Sequence, residues 1–181
     1  MASKQGHGVL LSWLVQILGA VAALGVPASA NCHAQQALQQ PTVAAPQDRR
    51  FDGTIRLEVD ARDVVRRVFH VRETIPVQAP GTMTLLYPEW EASSHAPTIS
   101  AASLAGLVVF AGQQRLEWRR DELEMHAFHV DVPEGADDIT VEFQYVVRAG
   151  EALLRPDLVT VQWQRLLLYP AGWYARNLPI Q

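Results

Sequence analysis

Cysteine and positive charge are both scarce in this sequence. The 181 residues include one cysteine, Cys32, so an intrachain disulfide framework is excluded. Lys and Arg total 15 against 19 Asp and Glu, which gives a formal net charge of -4. This mild acidity argues against a basic nucleic-acid-binding surface, so we expect no nucleic-acid partner.

Recognisable catalytic motifs are also absent from the sequence. There is no H-E-x-x-H, which would place two imidazoles on one helical face with a glutamate as general base. There is no G-x-S-x-G nucleophile elbow and no glycine-rich phosphate loop. The sequence therefore predicts no catalytic residue, no metal ligand and no enzymatic activity for this chain.

The N-terminus has the pattern of a secretory signal peptide over residues 1–30. Lys4 supplies the positive charge, residues 9–24 are almost wholly apolar, and small residues at 28 and 30 suit cleavage after Ala30. We therefore expect a secreted protein of the bacterial periplasm. An uncleaved leader is the alternative and the only expected membrane contact. A lipid anchor on Cys32 is a less favoured alternative, because Asn31 stands where a small residue is wanted.

Residues 31–50 are rich in Gln, Ala and Pro and predict a flexible linker, so the folded region is expected over 51–181. Within it, residues 131–147 begin with a turn and then alternate apolar and polar side chains with a period of two. This is the pattern of a strand with one buried face. Similar segments predict strands at 54–59, 66–75, 81–87, 104–110, 116–120, 125–132, 139–147, 158–163 and 165–169.

These eight or nine short strands, with turn signals about every ten residues, predict an all-β fold, an antiparallel β-sandwich. The continuous apolar run at 104–110 predicts a central strand buried on both faces. A helix over 61–68 is a weak alternative. The long loop at 88–103 is of the kind that often carries function.

Three groups of polar residues are candidate sites. His126 and His129 are three positions apart in a predicted strand, so they point to opposite faces and cannot share a metal ion without a bulge. His129 and Asp131 share a face, but ordinary cross-strand contacts explain them better than acid–base chemistry. Ser93, Ser94 and His95 are neighbours in the long loop, which is common and does not define a catalytic triad.

The aromatic residues are the remaining candidates for recognition. An exposed aromatic strip could bind sugars or peptides, although packing in the core or against another domain is the preferred interpretation. The set comprises Tyr87, Trp90, Trp118, Trp163, Tyr169, Trp173 and Tyr174.

Three stretches together resemble one known family. LLYPEW at 85–90 is followed by His95, Pro97, Thr98 and LAGL at 104–107. AFHVDVP at 127–133 precedes VEFQY at 141–145, and LYPAGWYAR occupies 168–176. In this order and spacing they are similar to the N-terminal domain of the glycyl aminopeptidase family of zinc metallopeptidases, over roughly residues 51–181.

The resemblance implies a modular parent protein. Its members have an N-terminal β-sandwich, then a thermolysin-like catalytic domain with H-E-x-x-H and zinc, and often a PDZ domain. No family catalytic residue can be carried over to this chain, and the zinc would belong to the catalytic domain, which is missing here. The family commonly has Pro-Gly where this sequence has Ala92-Ser93, a change expected to loosen or redirect the loop.

We therefore expect the truncated or split N-terminal part of such a peptidase, packing on a separate peptidase domain and shaping its substrate cleft. The alternative is a free-standing binding module for a peptide or glycan, and an independent hydrolase using His95 or His129 is the weakest hypothesis. The residues expected at the interface or binding surface are Tyr87, Trp90, His95, Tyr169, Trp173, Tyr174 and Arg176.

Overall fold

A computed structural model describes residues 43–91 and 93–181. The predicted signal peptide, Cys32, the first part of the linker and Ala92 lie outside the described residues. Within the described part of the chain, no helix is long and apolar enough to cross a membrane.

The described residues are built from strands, with three single 3-10 turns at Ala101–Ser103, Trp163–Arg165 and Ala175–Asn177. The strands are β1 (Arg56–Asp63), β2 (Val68–Pro76), β3 (Gly81–Leu86), β4 (Leu104–Ala111), β5 (Gln114–Leu116), β6 (Trp118–Arg120), β7 (Ala127–Val132), β8 (Asp138–Val146), β9 (Leu154–Arg155), β10 (Leu158–Val159) and β11 (Tyr169–Pro170). The all-β prediction is confirmed, although the described residues contain eleven strands rather than eight or nine.

The strands form two main antiparallel sheets and one hairpin. The larger sheet has five strands in the order β1-β2-β8-β4-β5, and the second has four in the order β11-β3-β7-β6. Strands β9 and β10 pair only with each other. The antiparallel arrangement predicted from the turn spacing is therefore confirmed.

Strand β8 lies at the centre of the larger sheet, as its strict alternation predicted. Ile139, Val141, Phe143 and Tyr145 are buried, whereas the residues between them are half-buried or exposed. The register sets Phe143 opposite Val71 and Ile139 opposite Ile75 on β2. Because these side chains share one face of the sheet, they form a continuous apolar surface.

One hydrophobic core contains residues of both sheets. It includes Val71 and Phe143 from the five-stranded sheet together with Leu85, Phe128 and Val130 from the four-stranded sheet. Leu166 and Leu168, from the segment that leads into β11, belong to the same core. The segment that contains the LYPAGWYAR stretch is therefore anchored between the two sheets.

Two strand predictions near the C-terminus are wrong. Of the predicted strand at 158–163, only Leu158–Val159 is extended in a sheet, and residues 163–165 form a 3-10 turn. Of the predicted strand at 165–169, only Tyr169 is in a strand, paired with Leu86. The three consecutive leucines at 166–168 are apolar and therefore predict a strand. In the structure Leu166 and Leu168 pack in the core without joining a strand ladder, and Leu167 is half-buried.

Strand β4 also differs from its prediction. It lies between β8 and the three-residue β5, and only Leu107 and Val109 are fully buried. The register shifts between Ala105 and Val108, where Gly106 has a positive φ of 64°. A bulge of this kind disrupts the pairing with β8 locally. The two fully buried residues are two positions apart, so β4 is fully buried on one face and not on both, as the continuous apolar run had predicted. The 61–68 segment is not a helix: residues 61–63 end β1, and 64–67 form a turn.

The last residues of the chain pair with the edge of the larger sheet. Ile180 forms a parallel bridge with Ile55, just before β1. The N–H of Ile55 donates to the Pro179 carbonyl at 2.8 Å, and the N–H of Leu57 donates to the Gln181 carbonyl at 2.8 Å. These bonds hold the C-terminal segment against the first half of β1.

Candidate functional site

A cleft of about 440 Å³ lies beside the C-terminal end of β3 and brings together three of the aromatic residues singled out in the sequence. Tyr87, Trp90 and Tyr169 line it, together with Leu167 and Ile180. The cleft exists because β3 pairs with β11 through Leu86 and Tyr169, which sets residues 87–90 beside the C-terminal segment.

Tyr87 forms the closed side of this cleft. Its ring is almost fully buried and stacks on His126 at a centroid distance of 6.0 Å. Its hydroxyl donates to the Arg165 carbonyl at 2.8 Å, and burial raises the pKa of this phenol above its ordinary value. Burial also raises the pKa of the half-buried Tyr169. Both rings stay neutral and serve as apolar walls with fixed positions.

Trp90 is the exposed member of the cleft. Its side chain is 63% exposed, and the neighbouring Ile180 is 44% exposed. Tryptophan is one of the residues most enriched in the buried centres of protein interfaces. An exposed indole on the rim of an apolar cleft is therefore available for contact with another molecule.

Trp173, Tyr174 and Arg176 are not part of this cleft. The Trp173 ring meets Phe51 edge-on at 5.1 Å, and the Arg49 guanidinium lies 4.8 Å from the same ring. The indole N–H of Trp173 is buried without a hydrogen-bond partner among the described residues. These contacts attach residues 47–51, at the end of the predicted linker, to the C-terminal segment.

Arg176 and Tyr174 strengthen the same attachment at the surface. The Arg176 guanidinium lies 4.2 Å from the Tyr174 ring and 3.1 Å from the Asp48 carboxylate. Asn177 donates to Asp48 at 2.8 Å, and this bond together with Arg176 lowers the pKa of that carboxyl. Six of the seven predicted residues are thus divided equally between two places, the cleft and this N-terminal attachment, and His95 lies in neither.

His95 lies on the exposed part of the long loop, with a positive φ of 50°. The neighbouring Ser94 hydroxyl lies 3.2 Å from the Thr98 hydroxyl and 3.3 Å from the Glu91 carbonyl. The Ser94 hydroxyl therefore makes hydrogen bonds within the loop, and none of those found among the described residues is to a histidine. The predicted effect of Ala92-Ser93 on the loop involves Ala92, which lies outside the described residues.

His129 is buried and held from both sides. Its Nε2 lies 2.7 Å from the Asp121 carboxylate, and its Nδ1 lies 3.0 Å from the Thr84 hydroxyl. Backbone N–H groups of residues 124 and 123, together with the imidazole, lower the pKa of Asp121 to about 2. None of these three side chains lines the cleft beside Trp90. The network therefore joins β3, β7 and the 121–126 turn.

The partner of His129 is not the residue that the sequence suggested. Asp131 is exposed and accepts a hydrogen bond from the Thr82 hydroxyl at 2.8 Å. Both His129 and Asp131 thus make cross-strand contacts with β3, as ordinary strand residues do. Among the described residues, no group of three or more His, Cys, Asp and Glu side chains is arranged to hold a metal ion.

Sequence reasoning missed a buried ion-pair cluster around Arg165. Its guanidinium lies 2.8 Å from the Glu91 carboxylate and also binds Glu151. The Thr98 hydroxyl donates to Glu91 at 3.1 Å. The cluster fastens the long loop to the 148–165 segment. Because 74 positions separate Glu91 from Arg165, no local pattern could have revealed it.

A buried carboxyl on β2 was also missed. Glu73 is 0% exposed, and both of its oxygens accept the Leu168 N–H, at 3.0 and 3.1 Å. Burial raises the pKa of this carboxyl well above its ordinary value. The sequence contained one indication of this burial. Glu73 lies at an alternate position between Val71 and Ile75, on the face of β2 that points to the core.

The fold described above places this chain in the class of all-β domains built from antiparallel sheets. Among solved structures, an aminopeptidase N family protein from Idiomarina loihiensis is similar, with a TM-score of 0.56 and 17% sequence identity. The match covers 65% of this chain and 20% of that one. At this identity the likeness concerns the fold alone. None of the curated proteins matches the chain.

A family model gives the more specific result. The model described as the peptidase M61 N-terminal domain matches residues 56–181. The chain belongs to the peptidase M61 N-terminal domain family. The resemblance to the N-terminal domain of glycyl aminopeptidases, carried by residues 85–107, 127–145 and 168–176, is confirmed.

Proposed function

We propose that this chain is a secreted, non-catalytic β-sandwich that packs on a glycyl-aminopeptidase-like peptidase domain in the bacterial periplasm and shapes its substrate cleft. The matching family describes the N-terminal domain of a peptidase and covers 56–181, which supports an accessory role. The two sheets with one shared core support the sandwich arrangement. The secretory pattern of residues 1–30 supports the location.

The exposed Trp90 beside the apolar cleft is the observation that supports packing most directly. Large apolar side chains that are exposed together commonly mark an interaction site. Trp90 and Ile180 lie on the same cleft, whereas Tyr87 and Tyr169 hold its walls in place. A partner surface that fills this cleft would bury the indole at the centre of the interface.

The zinc of the parent family does not fit the residues present here. The sequence has no H-E-x-x-H, and the described residues offer no cluster of ligands. When bound in a peptidase domain, zinc supplies an activated water for attack on a peptide bond. The proposed task of this chain is therefore to bind and position that domain, with no proton transfer assigned to its own side chains.

A free-standing binding module for a peptide or glycan is the second candidate. It is favoured by the concave shape of the same cleft and by the polar groups on its lining, Glu89, Glu124 and His126. Ligand sites commonly combine apolar walls with a few polar groups. In this case the aromatic side chains would contact the ligand directly, and no peptidase domain would be required.

The deciding experiment begins with the genomic sequence that follows the Gln181 codon, read in all three frames. An H-E-x-x-H within the next few hundred codons would identify the peptidase domain to produce. Titration calorimetry of the full chain with that domain, or with another M61 peptidase domain of the same genome, should give a stable complex. Finding no complex, together with binding of small peptides or glycans in the cleft, would replace the proposal with the binding module.

A further inference from the structure

The cleft beside Trp90 carries two carboxylates that have no basic partner. Glu89 and Glu124 are exposed, and both line the cleft. Neither forms an ion pair among the described residues, and the lining includes no Lys or Arg. The Glu124 carboxylate accepts a backbone N–H, that of His126, at 3.3 Å. The cleft therefore presents two negative charges that the described part of the chain does not neutralise.

Two arginines directly follow residues of the cleft in the sequence, yet both pair elsewhere. The Arg165 guanidinium lies 2.8 Å from the Glu91 carboxylate and also binds Glu151. The Arg176 guanidinium lies 3.1 Å from the Asp48 carboxylate. Because each of these cations has its own carboxylate partner, neither offsets the negative charge of the cleft.

The histidine of the cleft adds a further acceptor in its neutral form. The Nδ1 of His126 lies 3.3 Å from the Tyr87 carbonyl, and since a carbonyl can only accept, Nδ1 carries the proton. The Nε2 of the neutral imidazole is then an acceptor. Together with the two carboxylates, this nitrogen makes the polar side of the cleft suited to a cationic group with several N–H donors.

The rest of the lining suits the stem and the planar end of an arginine. Leu167, Tyr169 and the buried Tyr87 provide apolar walls, and the Trp90 indole is exposed. The methylene stem of an arginine packs along apolar surface while its charged end stays at the rim. A guanidinium can stack on an aromatic ring and donate to carboxylates at the same time, which a lysine ammonium does less well.

We propose that the cleft receives an arginine side chain of the peptidase domain, with its guanidinium on the carboxylates of Glu89 and Glu124 and against the Trp90 indole. This inference rests on the proposed association and specifies the group that the cleft recognises. Complementary charges across an interface select the partner and fix its orientation. The facing surface of the peptidase domain should therefore carry a protruding arginine.

The first test measures the complex of the full chain with the peptidase domain by titration calorimetry. Glu89→Gln combined with Glu124→Gln removes both charges and keeps the side-chain shapes, and it should weaken the complex about fivefold. The double variant should also lose most of the salt dependence of binding between about 50 and 500 mM NaCl. Glu122→Gln, on the same turn as Glu124 but outside the cleft lining, is the matched control and should bind like the wild type.

A second measurement tests the recognised group in the absence of the peptidase domain. N-acetyl-arginine methylamide, added to the full chain labelled with ¹⁵N, should shift the indole N–H signal of Trp90 and the amide signals of residues 89 and 124. N-acetyl-citrulline methylamide has nearly the same shape and no charge, so it should bind at least fivefold more weakly, as charge-assisted hydrogen bonds require. N-acetyl-lysine methylamide should also bind more weakly, because its ammonium lacks the planar fork.

The two measurements distinguish this inference from the proposed association. If the double variant bound the peptidase domain with wild-type affinity, the association would stand and the arginine would be wrong. Equal binding of the arginine probe and either of the other two probes, or signal changes away from Trp90, would also overturn the arginine. If the arginine probe bound through both carboxylates but no complex formed with the peptidase domain, the peptidase domain would be overturned as the source of the arginine.

Discussion

At the scale of single residues, Glu73 is the group whose position has the clearest thermodynamic consequence. Its carboxyl is buried in the core, with one backbone N–H, from Leu168, as its hydrogen-bond donor. Burial raises its pKa, so the folded protein favours the neutral acid. The stability that this preference provides is complete below the ordinary pKa of 4.5 and is lost as the pH rises through the raised pKa of the folded state.

Glu73→Gln should therefore make the protein less sensitive to alkaline pH. The amide keeps an oxygen to accept the Leu168 N–H and cannot ionise. We expect the melting temperatures of variant and wild type to be similar at pH 4 and to diverge in favour of the variant as the pH rises, as thermal unfolding across this range would show. Glu142→Gln, at an exposed ion pair with Arg72, is the control and should not change the pH dependence in this way. If the melting temperatures of wild type and Glu73→Gln changed with pH in the same way, ionisation of Glu73 would not be the cause of the pH dependence.

Arg165 is the second residue with a definite energetic role. Arg165→Met should destabilise the fold by about 3 kcal/mol, because it leaves the poorly hydrated Glu91 carboxylate without a cation and leaves Glu151 with only its longer contact to Arg148, at 3.5 Å. Urea unfolding would measure the loss. Combining the change with Glu91→Gln and Glu151→Gln should recover part of it, since the unpaired charges are then removed. A triple variant no more stable than Arg165→Met would show that the charges are not the cause.

At the scale of strands and loops, β8 is the central strand of the larger sheet. It pairs on both sides, with β2 and β4, and its buried face meets the shared core. Phe143→Ala should cost about 3 to 5 kcal/mol in the free energy of unfolding, because it opens a cavity between the sheets. Gln144→Ala, on the exposed face of the same strand, should change stability by less than about 0.5 kcal/mol. Equal losses at the two positions, measured by urea unfolding, would mean that the faces are misassigned.

The elements that the sequence predicted well are those in which local alternation and burial agree. Strands β2 and β8 match their predicted ranges to within two residues at each end, because each strand has one buried face. The segment 166–168 does not form the strand that its apolar residues predict, because Leu166 and Leu168 are buried by core packing, which local sequence does not distinguish from strand pairing. The bulge at Gly106 was missed since a glycine in an apolar run does not specify where the register shifts.

The candidate site was predictable only in part, because local sequence does not show which distant segments pair. The aromatic composition identified Tyr87, Trp90 and Tyr169, which the pairing of β3 with β11 brings to one cleft. Trp173 was grouped with them by residue type, although it packs on Phe51 elsewhere. Which aromatic side chains meet depends on strand pairing between distant segments, and that pairing has no local signature.

At the scale of the whole molecule, the proposed association with a peptidase domain predicts different effects for two exposed tryptophans. Trp90 lies on the cleft at 63% exposure, and Trp163 is 58% exposed but does not line the cleft. Trp90→Ala should leave the fold intact and weaken the complex at least tenfold, because a central interface tryptophan commonly contributes about 2 kcal/mol or more. Trp163→Ala is the matched control and should bind like the wild type. Titration calorimetry with the M61 peptidase domain, checked by circular dichroism of each variant, separates the cases. Equal weakening by both changes would move the interface away from the cleft, and an undiminished affinity of Trp90→Ala would leave the cleft free for a small ligand, as the binding-module alternative requires.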